Sequence, residues 1–169
     1  AVCGECPHRP LLAKTQGVAP CYVNLGQAPN SVYKSEYPDA MPTIKKPLRL
    51  GAYGEPTALP FELVQDAANN ANGHTGYTHQ WRTCDPRFKT LLMASVDSIG
   101  EQIEAQAQGW RTFRVRKNSN SIAARLRKTL ANEISCPASK EAGFRTQCAD
   151  CRLCAGTSRN AKNIVINAH

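Results

Sequence analysis

The sequence predicts an α/β protein with a mostly parallel sheet, either open or curled into part of a barrel. The main observation is that, from Pro47 onward, strand-like segments alternate with helix-like segments of about 10–13 residues, an order typical of β-α-β units. The composition agrees, since a 169-residue chain with 41% hydrophobic and 20% charged residues fits one globular domain. No apolar run approaches the roughly 18 residues of a membrane span, so no membrane partner is predicted.

The predicted strands are short apolar or alternating segments bounded by glycine, proline and polar turn residues. In the fourth strand Val115 separates Arg114 from Arg116, so both arginines are expected on one face of that strand. The predicted strands cover residues 48–53, 75–80, 91–95, 112–116, 133–135 and 163–168.

The helices are predicted from apolar residues that recur every three or four positions. The clearest of them has Pro60 in its first turn, and its predicted buried face consists of Phe61, Val64, Ala67, Ala68 and Ala71. Gly73 follows it as a stop signal. The predicted helices cover residues 30–36, 60–72, 99–108 and 121–132.

A single domain is predicted for residues 1–169, and it has three parts. Most of the eleven prolines lie in residues 1–47, where no apolar period is sustained, so we expect an irregular segment there. Residues 48–135 form the β/α core, and residues 136–169 contain a group of cysteines and the final strand. Because the first segment lacks the pattern of a hydrophobic core, its cysteines are the obvious means of ordering it.

The C-terminal cysteine cluster consists of Cys136, Cys148, Cys151 and Cys154. Its C-x2-C-x2-C run can bind three irons of a 4Fe-4S iron–sulfur cluster, with Cys136, which precedes a proline, as the fourth ligand. The same four thiolates also fit a tetrahedral zinc ion, although zinc sites more often use two C-x2-C pairs. These spacings favour metal over disulfides and therefore a reducing compartment such as the cytoplasm.

A second group of thiols lies near the start of the chain, at Cys3, Cys6 and Cys21, with His8 nearby. Three thiolates and one histidine make a zinc site. The alternative is a three-thiolate iron–sulfur cluster with an open iron. Radical chemistry with S-adenosylmethionine would need such an iron, but its usual C-x3-C-x2-C run is absent. Cys84 either completes a four-thiolate set or is a buried free thiol.

A polar pocket is predicted at the carboxyl ends of the strands, where the loops of a parallel sheet converge. His79 is a candidate general base, ligand or substrate anchor, and Glu55 or Asp97 would hold its second nitrogen. These three side chains are the candidate catalytic groups. The alternative is a structural histidine. The candidate substrate-binding side chains are Tyr53, Gln80, Trp81, Arg114 and Arg116.

The net charge of +8 and its distribution favour a polyanionic partner. No acidic residue occurs between Glu104 and Glu133, whereas basic residues and two aromatic residues do. This basic stripe predicts contact with nucleic acid or another phosphate-containing ligand, the alternative being a solvated surface. The stripe comprises Arg111, Arg114, Arg116, Lys117, Arg125, Arg127 and Lys128.

Several segments spread over the chain resemble one family. They are CGECPHR at 3–9, CY at 21–22, RLGAYGEP at 49–56, TGYTHQW at 75–81, MASVD at 93–97, GWRTFRVR at 109–116, CPAS at 136–139, TQCADCRLCAG at 146–156 and NIVINAH at 163–169. On these segments the chain resembles phage- and prophage-encoded, cysteine-rich proteins of unknown function. The resemblance implies a phage gene, the cytoplasm of a bacterial host and paired cysteine groups at the two ends. It implies no activity.

The sequence thus predicts an iron–sulfur or zinc protein whose centre lies near the carboxyl ends of the strands and faces the polar pocket. Enzymatic action on a nucleotide or nucleic acid is the first hypothesis. Two alternatives stay open: a non-catalytic, zinc-stabilised nucleic-acid-binding module, and a phage protein that binds and blocks a host protein.

Overall fold

The computed structural model describes residues 31, 34–35, 43–116 and 129–167. The strands are β1 (Leu48–Leu50), β2 (His74–Thr78), β3 (Met93–Val96), β4 (Thr112–Arg116), β5 (Glu133–Ser135) and β6 (Asn163–Asn167). They form one open sheet in the order β1-β2-β3-β4-β6-β5, and every neighbouring pair is parallel. The predicted α/β class with a mostly parallel sheet is confirmed.

The helices are α1 (Phe61–Asn69), α2 (Ile99–Ala107) and the single turn α3 (Cys148–Cys151). The first is shorter than predicted because Ala71 leaves it to form a parallel bridge with Ile44. Of the predicted helix 121–132, residues 129–132 form a non-helical turn and the rest lie outside the described residues. The predicted helix 30–36 is described only at residues 31 and 34–35. None of the helices in the described part of the chain is long and apolar enough to cross a membrane.

Helices α1 and α2 pack on one face of the sheet and form the hydrophobic core with it. Ser98 caps α2 by accepting a 3.1 Å hydrogen bond from the Glu101 amide, which directs the helix back over β3 and β4. Of the apolar stripe predicted for α1, Phe61, Val64 and Ala68 face this core, whereas Ala67 and Ala71 are only partly buried. The core consists of Leu50, Phe61, Val64, Ala68, Trp81, Phe88, Leu91, Leu92, Ala94, Val96, Ala105 and Trp110.

The same face also contains a buried ion pair between Arg114 of β4 and Glu133 of β5. Two hydrogen bonds join them, from Arg114 Nε to Glu133 Oε1 at 2.9 Å and from Nη2 to Oε2 at 2.7 Å. The Leu130 amide donates a third hydrogen bond to the carboxylate, at 3.0 Å. Because β6 lies between β4 and β5, this ion pair ties the last three strands of the sheet together.

The second face of the sheet, opposite α1 and α2, carries Tyr77, Phe113 and Ile164. The Tyr77 and Phe113 ring centroids are 4.5 Å apart, and Phe113 is in register with Ile164 of β6. Residues 148–158 of the C-terminal segment lie against β2, since the Cys154 carbonyl accepts a 2.9 Å hydrogen bond from the Gly76 amide. They also lie against the turn before β3, since the Thr157 hydroxyl donates a 3.1 Å hydrogen bond to the Lys89 carbonyl. The Gly76 amide is available because β3 pairs with β2 only from Tyr77 onward.

Close backbone contact at Gly156 holds this segment to the 3-10 turn Pro86–Thr90, which precedes β3. A Cβ at Gly156 would lie 2.6 Å from the Lys89 carbonyl oxygen and 2.7 Å from the Thr90 carbonyl carbon. Its φ is +60°, and Gly143 has a similar φ of +76°, but no described atom lies within 4 Å of a Cβ there.

We therefore expect Gly156→Ala to destabilise the protein more than Gly143→Ala. Left-handed backbone alone costs an alanine about 1–2 kcal/mol at either position. Only Gly156→Ala adds overlap with backbone that cannot turn aside, which we expect to cost about 1–3 kcal/mol more. Urea unfolding of the two variants measures the difference. Equal losses would contradict a tight contact at Gly156.

Candidate metal centre

The structure brings the four thiols of the C-terminal cysteine cluster into one neighbourhood. Cys136 directly follows β5, and its amide donates a 2.8 Å hydrogen bond to the Val165 carbonyl of β6. Cys148 and Cys151 begin and end α3. Arg152, with φ at +51°, stops that turn and lets the chain reverse before it reaches Cys154. Two separate segments thus supply the thiols.

Negative charge on some of these thiols raises the pKa of others, so the thiols lie near one another. Burial is the largest reason that the pKa of Cys136 is raised, and negative charge on Cys148 and Cys151 raises it further. Burial also raises the pKa of Cys154 to about 12, and the other three thiolates add to that rise. Burial and like charge therefore both disfavour the thiolate form of Cys136 and of Cys154, and a bound cation would offset them.

Tyr77 lies beneath this group on the second face of the sheet. Its pKa is raised well above the ordinary range, first by burial and then by negative charge on Cys154, with smaller contributions from Cys148 and Cys136. The Tyr77 ring packs on Phe113, so the thiols adjoin an aromatic floor. The cluster therefore adjoins the carboxyl end of β5 at Cys136 and the side of β2 at Cys154.

The thiols are neighbours, but they are not gathered around one point. Within residues 43–116 and 129–167, no group of three or more His, Cys, Asp or Glu side chains is arranged to hold a metal ion. Each of the five described cysteines is a free thiol rather than part of a disulfide. The donor set fits zinc or an iron–sulfur cluster by its chemistry, since both take four thiolates.

Arg111 binds the backbone on either side of Cys154, and it is 9% exposed. Its Nη1 donates to the carbonyls of Leu153 at 2.8 Å and Gly156 at 2.7 Å, and its Nη2 donates to the Lys162 carbonyl at 2.6 Å. Burial lowers the pKa of Arg111, while negative charge on Cys154 raises it. The sequence placed Arg111 only in the basic stripe, because its acceptors lie 42 to 51 positions further along the chain.

Of the remaining candidate ligands, only Cys84 lies in the described part of the chain. Cys3, Cys6, His8 and Cys21 lie outside the described residues. Cys84 is half-buried and packs against the hydrophobic core. Its pKa is raised to about 11, first by burial and then by the Glu55 carboxylate, and the cysteines of the cluster are not among the causes.

Three residues of the predicted pocket do come together at the ends of β1 and β2. The buried Glu55 carboxylate accepts hydrogen bonds from the Thr57 hydroxyl at 3.0 Å, the Thr57 amide at 3.3 Å and the His79 amide at 3.2 Å. The Thr57 hydroxyl also lies 3.3 Å from Gln80 Oε1. Sequence reasoning missed Thr57, although Glu-Pro-Thr is a recognisable cap for a short 3-10 turn. These bonds join the loop after β1 to the loop after β2. Glu55 therefore acts as the cap of the 3-10 turn Pro56–Ala58.

The remaining predicted pocket residues are dispersed. Tyr53 is exposed and lines an apolar groove of about 410 Å³ between the loop after β1 and α1. Asp97 is exposed just before α2, and Arg116 ends β4. Two predicted substrate-binding side chains belong to the interior instead: Trp81 is in the hydrophobic core, and Arg114 is paired with Glu133.

The fold and this site define a class: an α/β protein with an open, all-parallel sheet and a group of four thiols on one face. Comparison of the chain with protein-family models, curated proteins and solved structures finds no match. The resemblance to phage-encoded cysteine-rich proteins therefore stays a prediction.

Proposed function

We propose that this chain is a metal-binding protein whose C-terminal centre is held by the four cysteines of the C-terminal cluster. The metal is a zinc ion or an iron–sulfur cluster. Bound there, it fastens the segment after β5 to the second face of the sheet, beside Tyr77. The segment already has backbone contacts with β2 and with the turn Pro86–Thr90 before β3, so the metal adds to an existing attachment.

One observation carries this proposal: Cys136, which follows β5, lies close enough to the C-x2-C-x2-C segment for its negative charge to raise the pKa of Cys154, and for Cys148 and Cys151 to raise the pKa of Cys136. Crowded, partly buried thiols are unfavourable as anions, and a metal cation removes that penalty by taking the thiolates as ligands. The proposal requires the four side chains to turn toward one another on binding, because they are not gathered around one point in the described structure.

The choice between zinc and iron–sulfur depends on the ligand spacing and on the surroundings. The C-x2-C-x2-C run favours a cubane cluster, since cysteines separated by two intervening residues can each bind a different iron. The aromatic floor formed by Tyr77 and Phe113 suits either metal. Metal analysis of the purified protein therefore decides between zinc and an iron–sulfur cluster.

The structure offers less support for nucleic-acid binding. Of the basic stripe, Arg111 and Arg114 are buried and bonded within the protein. Lys117, Arg125, Arg127 and Lys128 lie outside the described residues. Action on a nucleotide or nucleic acid, and binding of a host protein, stay predictions from the sequence.

Metal analysis of the anaerobically purified protein tests the proposal. We expect at least about one zinc, or about four irons with matching sulfide and absorbance at about 400 nm, per chain. Reconstitution with Zn²⁺, or with iron and sulfide, should restore the same content after chelation. A chain that holds no metal after purification and after both reconstitutions would overturn the proposal.

A further inference from the structure

Arg111 and Arg114 are two buried arginines with opposite surroundings. They lie three residues apart, the first just before β4 and the second within it. Arg114 faces the helices and pairs with the Glu133 carboxylate. Arg111 lies on the second face of the sheet. Extending the register of β3 and β4 by one residue places Arg111 beside Met93, which itself pairs with Tyr77. Its three hydrogen-bond acceptors are backbone carbonyls, which carry no charge.

A buried guanidinium without an opposite charge is costly, because burial removes it from water. Beside Arg111, the Cys154 side chain can take a negative charge, because its thiol loses its proton when it binds a metal. A zinc ion or a 4Fe-4S cluster bound by four thiolates has a net charge of about −2. A metal–thiolate centre at Cys154 would therefore supply the charge that Arg111 lacks.

The hydrogen bonds of Arg111 also act on the part of the chain that has to present Cys154. The Leu153 and Gly156 carbonyls bracket Cys154, and the same Nη1 binds both. The Lys162 carbonyl, held by Nη2, leads directly into β6. The Cys154 carbonyl is held separately, by the Gly76 amide. The backbone on either side of Cys154 is thus fixed, and the side chain keeps only its own rotation.

We propose that Arg111 is a positioning residue for the metal centre, which holds the backbone around Cys154 and places a buried positive charge beside the metal-bound thiolates. This inference rests on the proposed function and extends it to a residue that is not a ligand. Outer-shell groups of this kind typically change metal affinity by about 10–100-fold when they are removed.

The test compares Arg111→Gln with the double variant Arg114→Gln/Glu133→Gln, which removes the buried ion pair on the other face. The probe is the metal found in the wild type, withdrawn by an excess of chelator, and the readouts are its release rate and the absorption spectrum of the bound centre. If the metal is zinc, Co²⁺ replaces it for the spectrum. We expect Arg111→Gln to release metal about 10–100-fold faster with a shifted spectrum. The double variant should unfold more easily but release metal at the wild-type rate.

Arg111→Lys keeps the charge but cannot reach all three carbonyls, so we expect an intermediate rate. If Arg111→Gln does not fold, the release rate and spectrum of Arg111→Lys are used for the test instead. Wild-type release rates and spectra in the Arg111 variants would overturn the positioning role while leaving the metal centre intact. Absence of metal from the wild type itself would overturn the proposed function and this inference together.

Discussion

Replacement of Cys154 by serine is expected to remove the metal of the C-terminal centre. The pKa of Cys154 is raised by all three other thiolates, so Cys154 lies near each of them. Its loss should therefore prevent metal binding rather than only weaken it. A serine hydroxyl stays protonated at neutral pH and is a poor ligand for zinc or iron, which need thiolate. The measurement is metal content per chain, and we expect it to fall by one zinc or one cluster relative to the wild type.

The same variant should lose stability when metal is present. A ligand that binds only the folded state stabilises it by about 2.7 kcal/mol at 100 times its Kd. Urea unfolding with and without added metal should therefore show metal-dependent stability in the wild type and much less of it in Cys154→Ser.

Cys84→Ser is the matched control for Cys154→Ser. Cys84 is also a half-buried free thiol, but it packs against the hydrophobic core rather than beside the cluster. We expect it to keep the wild-type metal content even if it loses some stability. An unchanged metal content in Cys154→Ser, or an equal loss in both variants, would contradict the assignment of Cys154 as a ligand.

Glu133→Gln is expected to destabilise the protein by about 3–5 kcal/mol at neutral pH, because it leaves the Arg114 charge buried and unpaired. The side chains of this ion pair are only 8% and 0% exposed. The control is Glu104→Gln, which breaks an ion pair with Arg82 whose side chains are 41% and 46% exposed. Such an exposed pair contributes less than about 1 kcal/mol. Urea unfolding at neutral pH compares the two losses, and similar values would contradict the role of the buried pair.

The effect of Glu133→Gln should also depend on pH. Burial by itself would raise the pKa of Glu133, but hydrogen bonds from Arg114 and the Leu130 amide lower it below its ordinary value. The ion pair therefore stabilises the fold above the ordinary pKa of about 4.3. This stabilisation is lost as the pH falls through the lowered pKa of the folded state. The difference between wild type and Glu133→Gln should shrink in acid, and a constant difference down to low pH would contradict this account.

Much of the core fold could be predicted because its signals are local. Pro60, the apolar stripe of α1 and Gly73 lie within one short segment, and each acts on its own stretch of backbone. The strand order could not be predicted in the same way. β6 inserts between β4 and β5, and that choice depends on pairing between residues far apart in the chain, such as Phe113 with Ile164.

The polar pocket shows how far residues at the ends of strands can be used to predict a site. Glu55, His79 and Gln80 do meet at the ends of neighbouring strands, as parallel strands require. Their hydrogen bonds, however, run largely through Thr57 and backbone amides, and they connect loops. Trp81 directly follows these residues, yet its side chain is buried in the hydrophobic core.

The sequence by itself determined the α/β class and the identity of the four clustered cysteines, because helix periodicity and C-x2-C spacing are properties of short segments. The tertiary structure alone decided which face of the sheet carries those cysteines and what each buried arginine does. Arg111 and Arg114 have the same chemistry and lie three residues apart, yet one binds carbonyls beside Cys154 and the other pairs with Glu133. Their partners come from residues 133–162, and only folding brings those residues to the two faces of β4.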